Sequence, residues 1–70
     1  MREVSFIQNG DRPLWLAYDC SNGHIVGEIR PCPTFRFQCY IKGIHGVMIA
    51  QGSPHKTLDA AKSDLRDLCS

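Results

Sequence analysis

The chain has 70 residues, of which 43% are hydrophobic and 21% charged, and its formal net charge is +1. A chain this short makes one domain that buries only about 60% of its unfolded surface, which leaves no room for an interdomain cleft and lowers the prior for catalysis. The composition excludes a disordered tail, and the near-neutral balance excludes both a strongly acidic DNA mimic and a polycation that holds nucleic acid or membrane by charge alone.

The elements follow in chain order. Val4 to Gln8 is a short β-prone run, expected as an edge strand, and Asn9-Gly10-Asp11-Arg12-Pro13 ends it with turn formers. Leu14 to Asp19 predicts a strand, and Cys20-Ser21-Asn22-Gly23 a turn whose Asn-Gly pair fits the positive φ angles of type I′. His24 to Arg30 returns as the second strand of that hairpin, and Pro31-Cys32-Pro33 stops it by removing backbone donors. Thr34 to Ile41 alternates with period two. Phe35, Phe37, Cys39 and Ile41 are expected on one face, and Arg36, Gln38, Tyr40 and Lys42 on the other.

Lys42-Gly43-Ile44-His45-Gly46 reads as a turn, Val47 to Gln51 as a short strand, and Gly52-Ser53-Pro54-His55-Lys56 as a loop. Thr57 is an N-cap, and Asp59 suits the positive end of the helix that follows. Leu58, Ala61, Leu65 and Leu68 form its one apolar stripe. The expected architecture is α+β: an antiparallel sheet of three to five strands in two hairpins, covered on one face by a single C-terminal helix. The other face is left open.

No apolar run approaches the roughly 18 residues that cross a bilayer, and the start lacks the pattern of a secretory signal. A single cytoplasmic domain over residues 1–70, complete as given and without a membrane partner, is the expectation. In that compartment Cys20, Cys32, Cys39 and Cys69 are expected as free thiols, with Cys39 in the core.

The residues that carry chemistry elsewhere do not assemble by spacing. Cys20 and His24 stand as C-x3-H, but Cys32 and Cys39 lie along a strand and supply no second close pair for zinc, so no metal and no cofactor are expected. Four cysteines and three histidines permit a nucleophile–base pair only on paper. Asp11, Asp19 and Glu28 are scattered, and no enzyme activity is expected. Ser53 and Lys56, just before the helix, weigh as a phosphate contact against a plain polar turn. One asymmetry stands out: between Ile29 and Leu58 the basic residues are Arg30, Arg36, Lys42 and Lys56, with no acid among them. With Gln38 and Tyr40, and with Trp15 or Tyr18 according to register, they make a candidate macromolecule-binding surface. Cations contact phosphate there, Arg and Gln read base edges, and Tyr stacks. The alternative is an ordinary solvated sheet face.

The short strands, the Gly-Ser loop and the helix opening Thr57-Leu58-Asp59-Ala60-Ala61-Lys62 resemble the AP2-like, integrase-arm-type DNA-binding domain of phage integrases, over roughly residues 14 to 68. In that family an exposed three-stranded sheet enters the major groove and the helix braces it from behind. The resemblance implies Arg30, Arg36, Gln38, Tyr40 and Lys42 as reading residues. In scale the chain is also similar to small α+β proteins of phages and prophages that inhibit a host complex, such as transcription machinery or a CRISPR surveillance complex. The leading expectation is a nucleic-acid-binding module, and the alternative is a phage-type inhibitor of a host protein or nucleoprotein complex. A homodimer paired through an edge strand, Val4 to Gln8 or Val47 to Gln51, also fits.

Overall fold

The computed structural model describes residues 3–69. Met1, Arg2 and Ser70, which the sequence reading counts into the domain, lie outside the described residues. Five strands, β1 (Val4–Gln8), β2 (Trp15–Asp19), β3 (Ile25–Pro31), β4 (Phe37–Lys42) and β5 (Met48–His55), precede one helix, α1 (Leu58–Cys69). The strands form one antiparallel sheet in the order β1-β2-β3-β4-β5. The expected α+β class is the observed one, and the two expected hairpins are parts of a continuous meander.

The β2–β3 connection differs in its chemistry from the expected type I′ turn. Gly23 takes φ 73°, but Asn22 does not share the positive φ that a type I′ turn requires. Asp19 organises a longer turn instead. Its carboxylate accepts from the Ser21 backbone N–H and hydroxyl at 2.9 and 2.6 Å, and its carbonyl accepts from Gly23 at 2.7 Å. Such a local side-chain acceptor stabilises a turn that the dipeptide alone does not specify.

Two strand ends are corrected. Pro31 does not stop β3 before itself: it is the last strand residue, opposite Phe37. Thr34 and Phe35 do not belong to β4. They sit in the β3–β4 turn, closed by bonds from Cys32 N–H to Arg36 C=O at 2.8 Å and from Phe35 N–H to Cys32 C=O at 3.1 Å. Phe35 takes φ 59° and is 93% exposed, so its ring leaves the core face that alternation assigned to it.

The segment read as a loop after Gln51 is strand. A bulge opposite Phe37 and Cys39, with Gly52 at φ 67°, re-registers β5 and carries it to His55. Pro54 is tolerated because β5 is an edge strand and no further ladder needs its donor.

Thr57 caps the helix as expected, its hydroxyl accepting from Ala60 N–H at 3.1 Å. The buried stripe of α1 is Ala61, Leu65 and Cys69. Leu68 was expected in that stripe but is 47% exposed, because Cys69 continues the i, i+4 row from Leu65. The helix sits on the face bearing Val4, Ala17, Ile29 and Cys39, with Phe6, Trp15, Phe37 and Ile41 packed around it. Gly27 lets β4 approach at that point, since a Cβ there would overlap the Tyr40 carbonyl oxygen. Trp15 meets Phe37 edge-on with centroids 6.0 Å apart.

Candidate functional site

With one helix on one side, no element among the described residues covers the second face of the sheet. Cross-strand register defines its rows. Ile7, Leu16, Glu28, Tyr40 and Ala50 lie opposite one another in turn across all five strands. Tyr18 lies opposite Ser5 on one side, and Arg30 opposite Gln38. Lys42 pairs with Met48. Trp15 shares the row of Ile29 and Cys39 on the helix side, so Tyr18 is the second aromatic of the open face.

At the centre of this face is a carboxylate that the sequence reading left among scattered acids. Glu28 is 5% exposed, flanked by Leu16 and Tyr40 in its row. The Arg30 guanidinium forms an ion pair with Glu28 Oε1, and no directed hydrogen bond reaches that oxygen among the described residues. The same guanidinium lies 4.4 Å from the Tyr40 ring centroid. Arg30, two residues beyond Glu28 on one strand face, is therefore stacked and neutralised in place.

The other expected contact residues divide. Gln38 is a correction: it is 8% exposed, and its amide donates to the carbonyls of Cys39, Gln51 and Gly52 at 3.1, 2.9 and 3.2 Å. The Gln51 and Gly52 carbonyls lie where β5 changes register, so Gln38 fastens the backbone there and has no spare donor for a base edge. Tyr40 and Arg36 are half-buried, and Lys42 and Lys56 are exposed. Lys42 shares the open face with Tyr40, whereas Lys56 lies in the loop between β5 and α1. The cations are thus not gathered into one stripe.

On the other side of the sheet the fold brings together three residues that were not grouped in sequence. Cys39 Sγ, a ring nitrogen of His55 and a carboxylate oxygen of Asp64 lie within 4.8 Å of one another. Cys39, in mid-β4, donates to the Ala61 carbonyl at 3.2 Å. The bulge sets His55 opposite Phe37 and so on the helix side, where its Nε2 lies 2.9 Å from Asp64 Oδ2. Asp64 follows Ala61 by one helical turn and so faces the same strands. Burial first, then the charges of Asp64 and Cys69, push the Cys39 thiol up to about 11. The separations 39–55–64 match no ligand spacing, and the bulge that unites them has no simple sequence signature. Of the earlier C-x3-H pair, Cys20 Sγ lies 3.0 Å from Ser5 Oγ.

No protein-family model, no curated protein and no solved structure matches the chain.

Proposed function

We propose that the chain is a non-catalytic binding module that docks a protein partner on the open face of its sheet. The observation that carries this reading is the Glu28–Arg30–Tyr40 arrangement. It removes the central arginine from the pool of free cations and leaves a surface of mixed character. Leu16, Tyr18, Tyr40 and Met48 are half-buried there and Ile7 is 57% exposed at the β1 edge. A centre of aromatic and aliphatic side chains with few uncompensated charges is the composition of a protein interface core. Nucleic acid asks for several unpaired cations along one track, and with Arg30 paired to Glu28 the face offers few. Cys39, fully buried with its thiol pushed up to about 11, is unsuited as a nucleophile, which agrees with a role without catalysis. An inhibitor that blocks a host complex is the form of this reading that the chain's scale suggests.

The test is a pair of measurements on wild type and Tyr40→Ala. Fluorescence polarisation against duplex DNA, single-stranded DNA and RNA is expected to show no binding at ~50 mM salt. Quantitative capture on immobilised protein is expected to retain a partner at both ~50 and ~200 mM salt, and Tyr40→Ala is expected to release it. Nucleic-acid binding that falls steeply between those concentrations would instead establish the nucleic-acid module.

A further inference from the structure

We propose that Cys39, His55 and Asp64 form a zinc site, in which Sγ, a ring nitrogen and a carboxylate oxygen supply three ligands and water the fourth. The site lies on the helix side of the sheet, opposite the docking face, so the two readings stand or fall separately.

Ligand chemistry selects the ion. Thiolate, imidazole and carboxylate together are the set that borderline-soft, tetrahedral zinc accepts, whereas magnesium and calcium take oxygen ligands almost exclusively. The three groups come from β4, β5 and α1, so they converge through the fold and not through one flexible loop. Zinc bonds of about 2.0 Å to nitrogen or oxygen and about 2.3 Å to sulfur set ligands roughly 3.3–3.6 Å apart. Nε2 of His55 and Oδ2 of Asp64 stand at 2.9 Å, and all three ligand atoms lie within 4.8 Å. The histidine–carboxylate pair thus opens by less than about 1 Å and the sulfur closes by about 1 Å, adjustments within the reach of side-chain torsions.

Access agrees with that geometry. Cys39 has no exposed surface, while the side chains of His55 and Asp64 are 28% and 37% exposed. The ion therefore enters from the histidine–aspartate side, which is also where the water ligand sits. Without metal the polar groups are held within reach by the Cys39–Ala61 and His55–Asp64 hydrogen bonds. On binding, the Cys39 S–H bond breaks and its proton passes to solvent as the S–Zn bond forms. His55 joins through a neutral ring nitrogen, Asp64 joins as the carboxylate, and the six-coordinate hydrated ion sheds five waters and keeps one. No oxidant or reductant takes part.

The consequence is mechanical. The helix is held by a thin layer, since the largest fully buried side chains are Ile29, Leu65 and Cys39. An ion bonded to two strands and the helix would clip that layer shut. Binding that requires the folded arrangement adds to folding stability by mass action.

Cobalt(II) is the first probe, added to reduced, metal-free full-length protein at neutral pH. A thiolate-to-cobalt charge-transfer band, the strong visible bands of a four-coordinate ion, saturation at one equivalent and displacement by zinc are the expected result, with a rise in melting temperature on adding zinc. Cys39→Ala is expected to abolish the charge-transfer band. His55→Gln and Asp64→Asn, at partly exposed positions that leave the core intact, are each expected to weaken zinc binding by more than about tenfold, with circular dichroism unchanged. Cys20→Ser and Cys32→Ser are expected to bind as wild type. The weak spectrum of hydrated cobalt, with no thermal shift on adding zinc, would overturn the site. So would a charge-transfer band that survives Cys39→Ala, or zinc affinity that is unchanged in both His55→Gln and Asp64→Asn.

Discussion

The guanidinium carbon of Arg30 lies 4.4 Å from the centroid of the Tyr40 ring while the same group pairs with the buried carboxylate of Glu28. The pair is asymmetric, with the Arg30 side chain 46% exposed and that of Glu28 only 7%. Removing the cation leaves a shielded carboxylate alone, whereas removing the carboxylate leaves an arginine that reaches water. Arg30→Ala is therefore expected to destabilise by about 1–2 kcal/mol, reduced from the fully buried case because solvent screens the arginine. Glu28→Gln is expected to cost less. Urea denaturation of both single variants and the double variant gives the coupling energy directly, and equal losses from the two single changes would contradict the asymmetry.

Gln38 carries a similar prediction for the backbone. Two amide hydrogens are shared among three carbonyls at the β4–β5 bulge. Gln38→Ala leaves those acceptors without their donor and is expected to cost about 1–3 kcal/mol. Amide hydrogen exchange is expected to speed up in β5 ahead of β2. Uniform acceleration across the sheet would mean that the side chain does not hold the bulge.

The two phenylalanines flanking Arg36 are expected to behave in opposite ways. Phe37→Ala removes a half-buried ring from its contact with Trp15 and should cost about 2–3 kcal/mol, below the range for a fully buried ring. Phe35→Gly relieves a left-handed backbone at a 93% exposed position and should be neutral or stabilising by up to about 1 kcal/mol. Thermal melts distinguish them, and a large loss from Phe35→Gly would mean that its ring has a partner in the fold.

Alkaline pH should loosen the metal-free protein through Cys39. Its thiol is held at about 11 in the fold against an ordinary 9.0, so the fold favours the protonated form. A raised value contributes stability that is complete below about pH 9 and is lost as pH rises through about 11. Two units correspond to at most roughly 3 kcal/mol. Denaturation of chelator-treated wild type and Cys39→Ala across that range isolates the effect. The variant should show the flatter dependence, and parallel curves would assign the alkaline loss to other groups.

Sequence was most informative where one residue acts on its nearest neighbours. Thr57 reads as a cap because its hydroxyl reaches a donor three residues ahead, and Phe37, Cys39 and Ile41 read as one face because a regular strand alternates. Both hold in the structure. Reading failed where a strand changes register or a residue leaves it. Phe35 fits the alternation by position, but its backbone has already turned. Gly52 was a loop signal and is a bulge, and that bulge decides the burial of Gln38 and the arrival of His55 beside Asp64. One missed relationship was legible: Glu28 and Arg30 stand two apart on a strand and so share a face. A basic patch counted from Ile29 onward omits the acid that neutralises its first member.

The meander has a kinetic consequence. Every strand pairs with its neighbour in sequence, so each pairing step closes only a short loop and the long-range search falls to one event, the docking of α1. Chains dominated by local pairings fold faster than Greek-key sheets of similar size, because less loop entropy is lost before contacts compensate for it. The sheet can zip strand by strand, and the rate-limiting barrier should lie where Ala61 and Leu65 settle over Ile29 and Cys39. Substitutions in the hairpin turns should then alter the refolding rate less than substitutions along the buried stripe of the helix.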